Sequence, residues 1–137
     1  MEAIPFSAGT IEKIGIVLKI TYKKEGEITL DDMKEITHLR KELFGEHHYA
    51  SLIDLKDDNL EFQNDALKYV TDNEVIRNLR VAEVLLVKSF AQRLGIHSYV
   101  KIFRSKDNVT VMTDEENALH WLNRQYQKQC GELVDSE

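Results

Sequence analysis

The chain has 137 residues and a formal net charge of −6. This length fits one domain that buries a sizeable core. The acidic balance disfavours nucleic acid and anionic membrane surfaces as partners, because both attract a concentrated basic surface. We therefore predict a single soluble domain over residues 1–137 that binds no nucleic acid.

Cysteine content and the first residues of the chain bear on its location. Cys130 is the only cysteine, so no internal disulfide can form and a reducing compartment is expected. Residues 1–10 do not combine a basic segment with an apolar run, unlike a signal peptide. No apolar stretch approaches the roughly 20 residues that span a bilayer. We expect a cytoplasmic protein without a transmembrane segment.

A hairpin of two strands is predicted near the start of the chain. In residues 14–22 apolar positions alternate with others, which is typical of a strand with one buried face. Residues 10–13 are interpreted as a preceding strand, with Gly15 near the turn between them. Two strands joined this closely pair antiparallel.

The first helix is predicted over residues 30–44, where apolar side chains recur every three or four positions. Either Thr29 or Asp31 can cap its start, since both side chains accept hydrogen bonds from free backbone N–H groups. Gly45 follows the last apolar residues, where a glycine commonly ends a helix.

A short strand and two helices are predicted next. Residues 49–55 form a brief apolar run and are interpreted as a buried strand. Helical spacing then predicts a helix over residues 61–71. Thr71 and Glu74 have the spacing of a capping box, which predicts that a short helix starts there.

The most apolar segment of the chain is predicted to lie in the middle of the sheet. Residues 81–87 are apolar at nearly every position, as in a strand buried on both faces. Residues 89–103 are predicted to be mostly helical, although residues 98–103 fit either a helix or a strand. Residues 109–113 are predicted to form the final strand.

The last helix is predicted over residues 114–129, with Thr113 and Glu116 spaced as a capping box. Strands therefore alternate with helices along most of the chain. This order predicts an α/β protein with a mainly parallel sheet, which the opening hairpin makes mixed.

Asp54 is the first candidate for chemistry, because it ends the predicted strand 49–55. In receiver domains an aspartate at such a place accepts phosphate, beside paired acids that bind magnesium. Lys23 and Lys24 stand where those acids are needed. A strand end that meets solvent explains Asp54 better, so we interpret it as a structural acid.

The other chemically active residues lack the pattern of a catalytic or metal site. His47 and His48 are adjacent and point in opposite directions in an extended chain. Glu35 and His38 have the spacing of a di-iron motif, which needs several such pairs on facing helices. Cys130 lies outside any predicted cleft, and no phosphate-binding glycine loop is present. We predict no metal, no cofactor and no catalytic residue, and hence a protein that is not an enzyme.

Four segments carry a resemblance to a known family: "LIDLK" (52–56), "NDALKYV" (64–70), "RVAEVLLVKSFAQRLG" (80–95) and "VMTDEENALHWLNRQ" (111–125). Their order resembles the small bacterial STAS-like proteins, which are relatives of the sporulation anti-anti-sigma factors and of the Sec14-type lipid-binding fold. The resemblance covers roughly residues 14–125. It implies a four- or five-stranded mixed, mainly parallel sheet with helices packed mainly on one face.

The phosphorylation switch of those relatives does not carry over to this chain. Anti-anti-sigma factors have a phosphorylatable serine at the start of the helix that follows the "LDL" strand. The corresponding segment here is "LEFQNDA" (60–66), which contains no serine or threonine. Gln63 and Asn64 stand approximately where the serine would be.

The leading functional hypothesis is a non-enzymatic STAS-like interaction or regulatory module. Its expected contact surface for an unknown protein partner consists of Asp57, Asp58, Gln63 and Asn64. Homodimerisation through apolar helix faces is a further hypothesis.

The alternative hypothesis is a carrier or sensor of a small apolar, lipid-like ligand bound between the sheet and the helices. The expected pocket lies near Phe90, Leu94 and Trp121. An enzyme is a third hypothesis, for which the chain offers no candidate nucleophile or base.

Overall fold

The chain forms an α/β fold in which helices pack against both faces of one mixed sheet. The computed structural model describes residues 2–57, 59–89, 92, 94, 96, 100, 101, 104 and 106–135, with the backbone alone for residues 132–135. The strands are β1 (Ile4–Phe6), β2 (Gly9–Ile14), β3 (Val17–Tyr22), β4 (Glu27–Ile28), β5 (Tyr49–Asp54), β6 (Glu61–Phe62), β7 (Arg80–Leu86) and β8 (Val109–Met112). The helices are α1 (Leu30–Phe44), α2 (Asn64–Asp72), α3 (Glu74–Leu79) and α4 (Glu115–Asp135). Residues 92, 94, 96, 100 and 101 are also helical.

The main sheet has six strands in the order β1-β2-β3-β5-β7-β8. The pairs β1–β2 and β2–β3 are antiparallel, whereas β3–β5, β5–β7 and β7–β8 are parallel. The α/β class and the mixed, mainly parallel sheet predicted from the sequence are therefore confirmed. The expected four or five strands become six because Ile4 pairs with Ile11 and adds β1 at the edge. Strands β4 and β6 pair separately as a short parallel ribbon.

The predicted hairpin is present, but its turn divides the segment that was interpreted as one strand over residues 14–22. Ile14 pairs with Val17, so Gly15 and Ile16 form a two-residue turn. Gly15 has φ 60°, and the first central residue of such a turn requires a positive φ that glycine adopts without strain.

Helix α1 has the predicted bounds, and its first cap is Thr29. The Thr29 side chain accepts a hydrogen bond from the Asp32 N–H, and the Thr29 N–H donates to Asp32 Oδ2 at 2.8 Å. This reciprocal capping box satisfies two N–H groups that would otherwise have no partner. Gly45 follows the helix with φ 58°, as the sequence indicated.

The two other predicted caps are wrong by one or two positions. Asn73, rather than Thr71, directly precedes α3, and its Oδ1 accepts a hydrogen bond from the Ile76 N–H at 3.1 Å. Asp114, rather than Thr113, precedes α4 and accepts from the backbone two and three residues further on. The cap must be the residue just before the first helical one, and Asn and Asp serve there at least as well as Thr.

Side chains alternate along the strands and divide the core into two layers. We call the front face the side of the sheet that bears Leu18, Ile20 and Ile53, which pack with residues of α1 and α2 such as Met33 and Ala66. We call the back face the opposite side, which packs against α4. Its buried residues are Val17, Ala50, Leu52, Ala82, Val84, Leu86, Ala118 and Leu122.

The helices therefore lie on both faces, with α1, α2 and α3 in front and the 21-residue α4 behind. The expectation of helices mainly on one face holds for the three shorter helices and not for α4. Strands β5 and β7 are covered on both sides, which explains why all six residues of β5 are buried. Within the described part of the chain, no helix combines the length and apolar character of a membrane span.

Candidate ligand-binding cavity

A cavity of about 280 Å³ lies between the front face and the helices that cover it. This volume is close to the lower end of small-molecule pockets, which span about 300–1,000 Å³. Its walls come from β3, β5 and β7 on one side and from α1, α2 and α3 on the other. The apolar lining consists of Leu18, Ile20, Tyr22, Met33, Ile36, Ile53, Leu55, Phe62, Leu67, Val70, Ile76, Leu85 and Ile96.

Helix α1 supplies four lining residues from one stripe: Met33, Ile36, Thr37 and Arg40. Their spacing of three, one and three positions places them on the same side of a helix with 3.6 residues per turn. The stripe begins apolar and becomes polar toward the end of the helix. As a result, Arg40 lies on the same buried side of α1 as Met33 and Ile36.

The charged end of the cavity lies at the amino ends of β5 and β7. Tyr49 and Arg80 are register partners there, and Ser51 pairs with Glu83. The Arg40 guanidinium lies 5.8 Å from the centre of the Tyr49 ring, which favours a cation–π interaction. Burial raises the pKa of Tyr49 to about 12 although Arg80 and Arg40 oppose this shift, so its hydroxyl stays neutral.

The opposite end of the cavity is apolar. Tyr22 and Phe62 meet there edge to face, with ring centroids 5.2 Å apart. The Tyr22 hydroxyl contacts Met33 Sδ at 3.4 Å. Burial, with a smaller contribution from nearby carboxylates, keeps the pKa of Tyr22 above its ordinary value. The cavity is therefore amphipathic, with charge at one end and aromatic and aliphatic groups at the other.

Glu83 is the buried anion of this site, at 4% exposure. Ser51 Oγ donates to its Oε1 at 2.7 Å, and Arg104 Nη2 lies 2.9 Å from its Oε2. Burial by itself raises the pKa of Glu83, but the charges of Arg80 and Arg104 and the Ser51 hydrogen bond outweigh it and lower the pKa. Glu83 is therefore ionised at neutral pH.

Arg80 and Arg104 are each shared between two carboxylates. Besides Glu83, Arg104 Nε pairs with Asp107 Oδ2 at 2.5 Å, and Arg80 Nη2 lies 3.8 Å from the same oxygen. Burial lowers the pKa of Arg104, but Glu83 and Asp107 outweigh it and raise the pKa. Arg77 Nη2 also lies 3.3 Å from Asp107 Oδ1, so three arginines share the two acids at this end.

Arg40 differs from these arginines because it has no acidic partner among the residues that the structure describes. Its side chain is 4% exposed. Nη1 donates to the Gly45 carbonyl at 3.0 Å, whereas Nε has no hydrogen-bond partner. A buried cation without a counter-charge is costly, which distinguishes Arg40 from the other charged groups of the cavity.

The sequence contains signals for Arg40 and Glu83, two charged residues that were not predicted to belong to a site. Arg40 falls four positions after Ile36, on the apolar stripe of α1, where an exposed arginine is not expected. Glu83 interrupts the apolar run 81–87. A charged residue at a position that periodicity marks as buried is a reason to look for a paired or functional group.

The pocket predicted from Phe90, Leu94 and Trp121 is not the cavity found. Trp121 packs on the back face with α4, so the sheet separates it from the cavity. Leu94 is 56% exposed, and Phe90 lies outside the described residues. Periodicity shows that α4 is amphipathic without showing which face of the sheet it covers.

The predicted partner-contact residues lie on the segment between β5 and α2. Asp57 and Gln63 are half-buried and Asn64 is exposed, whereas Asp58 lies outside the described part of the chain. The Gln63 N–H donates to the Ile28 carbonyl at 3.0 Å, which ties the segment to the β4–β6 ribbon. Whether these residues contact a partner stays a prediction.

Asp54 has local structural partners. Its side chain is mostly buried, accepts a hydrogen bond from the Lys56 N–H at 3.0 Å and lies 3.6 Å from Lys56 Nζ. These contacts fit the interpretation of Asp54 as a strand-end acid that orders the following turn.

Cys130 lines a second, polar groove together with His48 and Asp107. Burial raises the pKa of its thiol, which lowers its reactivity. In the described ranges no three His, Cys, Asp or Glu residues are grouped as metal ligands.

Together the fold and the cavity define an α/β protein with a mixed six-stranded sheet and an amphipathic cavity under its front helices. The chain belongs to the family described as Domain of unknown function (DUF7793), whose model matches residues 11–126. No curated protein and no solved structure matches the chain. The matched range includes every strand and helix that lines the cavity.

Proposed function

We propose that this protein is a non-enzymatic binding module that holds a small, largely apolar ligand between the front face and α1, α2 and α3. The observation that carries this proposal is the cavity of about 280 Å³ with mainly apolar walls. The proposed role is that of a sensor or carrier, in which an occupied cavity stabilises the folded domain.

The energetic argument for an occupant rests on the apolar walls of the cavity. A ligand that fills the space removes apolar surface from water, which is favourable by about 25 cal/mol per Å². Binding to the folded state alone also raises the stability of that state by mass action.

The volume also limits the size of the ligand. An apolar cavity of about 150 Å³ holds one benzene molecule. By proportion, a space of about 280 Å³ holds roughly eleven non-hydrogen atoms. Compounds with a chain of eight carbons, such as octanol, octanamide and octanoate, are therefore suitable probes.

The test combines native mass spectrometry of freshly purified protein with thermal shift measurements on these three probes. We expect a co-purifying small molecule or a rise in Tm with at least one probe. The variant Val70→Phe narrows the cavity, since Val70 lines it, and should weaken binding at least tenfold. The matched control is Val75→Phe on α3, because Val75 is 54% exposed.

Two outcomes contradict the proposal. If no molecule co-purifies and none of the three probes changes Tm, the cavity does not function as a binding site. If the Val70→Phe and Val75→Phe variants bind a probe equally well, the ligand binds elsewhere on the protein.

A STAS-like module that also contacts a protein partner is a second proposal, supported by the compatible mixed α/β sheet. The contact segment is tied to the β4–β6 ribbon through Gln63 and exposes Asn64. Affinity capture from native lysate with wild-type protein and an Asp57→Lys, Asn64→Lys variant tests this surface. Partners that the variant retains in full would exclude it.

A further inference from the structure

We infer that the ligand of this cavity is an apolar monocarboxylic acid, whose carboxylate binds Arg40 and whose hydrocarbon part extends toward Tyr22 and Phe62. This inference rests on the proposed function, because it names the chemical class of the ligand of the same site. The observation behind it is a buried cation that faces the cavity with part of its hydrogen-bonding capacity unused.

Arg40 has the geometry of an anion-binding group. Its side chain lines the cavity and is 4% exposed. The Gly45 carbonyl and the Tyr49 ring are its neighbours, and neither carries a negative charge. Among the described residues, neither Arg40 Nε nor Arg104 Nη2 has a hydrogen-bond partner, but Arg104 Nη2 lies 2.9 Å from the Glu83 carboxylate, whereas Arg40 has no carboxylate beside it. An arginine fork matches a carboxylate with two parallel hydrogen bonds, so a carboxylate supplies both the charge and the missing acceptor.

Arg40 is the charged group of the lining that no described carboxylate pairs with. The lining holds three arginines and one acid, Glu83. Arg80 and Arg104 are paired with Glu83 and with Asp107, which Arg77 also contacts. A ligand with one negative charge gives Arg40 a partner, whereas a neutral ligand does not.

The shape of the cavity gives the ligand a direction. Met33 and Arg40 lie on one stripe of α1 and are separated by seven residues, or about 10 Å along the helix axis. Tyr22 and Phe62 close the end near Met33. A head group at Arg40 therefore directs its hydrocarbon part along the apolar wall.

The available volume selects a free acid of medium length rather than a membrane lipid. Roughly eleven non-hydrogen atoms fit the space, which a single chain of about eight carbons with a carboxylate uses almost fully. Two acyl chains and a glycerol head group exceed this limit several times.

The experiment compares octanoate with octanamide, which has the same size and shape but no charge. Dissociation constants are measured by isothermal titration calorimetry at neutral pH for three proteins: wild type, Arg40→Met and Arg124→Met. Arg124 is the matched control because it is an exposed arginine of α4 on the other side of the sheet.

We expect wild type to bind octanoate at least about tenfold more tightly than octanamide, which is the lower range for a hydrogen bond to a charged group. Arg40→Met should remove this preference without weakening octanamide, and Arg124→Met should keep it. The comparison of the two ligands on wild type needs no variant, so it stands even if Arg40→Met does not fold.

The failures of the two proposals are distinguishable. Equal binding of octanoate and octanamide to wild type overturns the acid assignment and leaves the apolar-ligand function intact. A preference for octanoate that persists in Arg40→Met also overturns it, because another group then binds the carboxylate. Absence of binding by both probes contradicts the proposed function itself.

Discussion

The charge of Asp32 at the start of α1 is expected to stabilise the fold by about 2 kcal/mol. Asp32 is 3% exposed and accepts hydrogen bonds from the Thr29 N–H, Lys24 Nζ and Ser7 Oγ at 2.8, 2.5 and 2.5 Å. Burial alone raises the pKa of Asp32, but hydrogen bonds from Lys24, Ser7 and Thr29 outweigh it and lower the pKa from 3.8 to about 2.

The magnitude follows from linkage between protonation and folding. A difference of about 1.8 pKa units between the unfolded and folded chain corresponds to roughly 2.4 kcal/mol at neutral pH. Because the folded pKa is the lower one, this stability is fully present well above pH 3.8 and is lost as the pH falls toward 2. At pH 3 about half of it should remain.

The perturbation is Asp32→Asn, which keeps a side-chain oxygen to accept the Thr29 N–H and removes the charge. The assay is urea denaturation at steps from pH 7 to pH 3, with Asp31→Asn as control, because Asp31 is an exposed acid in the same first turn. Asp32→Asn should lower the free energy of unfolding by about 2 kcal/mol at pH 7, or Tm by roughly 6–10 °C. The deficit should shrink by about half at pH 3.

Two results would refute this reasoning. One is a deficit of Asp32→Asn that stays constant from pH 7 to pH 3, since the loss would then not come from the charge. The other is an equal deficit in Asp31→Asn, which would assign the effect to the helix dipole as a whole rather than to the contacts of Asp32.

Further predictions concern one buried acid and one helix cap. Glu83→Gln removes the charge that pairs with Arg80 and Arg104, and we expect it to lower the free energy of unfolding by about 3–5 kcal/mol in urea denaturation. Glu115→Gln removes the charge of the more exposed pair with Lys19 and should lower it by less than about 1 kcal/mol. Equal losses would contradict the burial argument. Asp114→Ala should lower stability by about 1 kcal/mol because it removes the α4 cap, and Thr113→Ala should change it by less than about 0.5 kcal/mol. If Thr113 were the cap, a thermal melt followed by circular dichroism would show a larger loss of Tm in Thr113→Ala than in Asp114→Ala.

Most elements of the fold were readable from local patterns. The apolar stripe between Thr29 and Gly45 predicted α1 to the residue, because a capping side chain and a terminal glycine mark its two ends. The run 81–87 predicted a strand buried on both faces, as β7 is. In contrast, α2 starts at Asn64 rather than at residue 61, because residues 61–62 pair with β4, far away in the sequence.

The cavity was less predictable than the fold. The position of Arg40 on a buried stripe follows from helical spacing alone, and so does the amphipathic character of α4. The lack of an ion pair to Arg40 within the described ranges and the packing of α4 on the back face depend on which elements meet. The spacing of apolar residues predicts that a side chain is buried, but it does not identify the residues that pack against it.

The sequence by itself determined helices α1–α4, strands β2, β3, β5, β7 and β8, the α/β class and the mixed sheet, because these depend on the spacing of apolar residues and on local caps. Strands β1, β4 and β6 were not predicted. Tertiary structure alone decided that α4 and its Trp121 lie behind the sheet. It also decided that Arg80 and Arg104 find Glu83 and Asp107, while Arg40 finds no described acid. The physical reason is that a charge interacts through space with whatever the fold brings within a few ångströms, which no local pattern encodes.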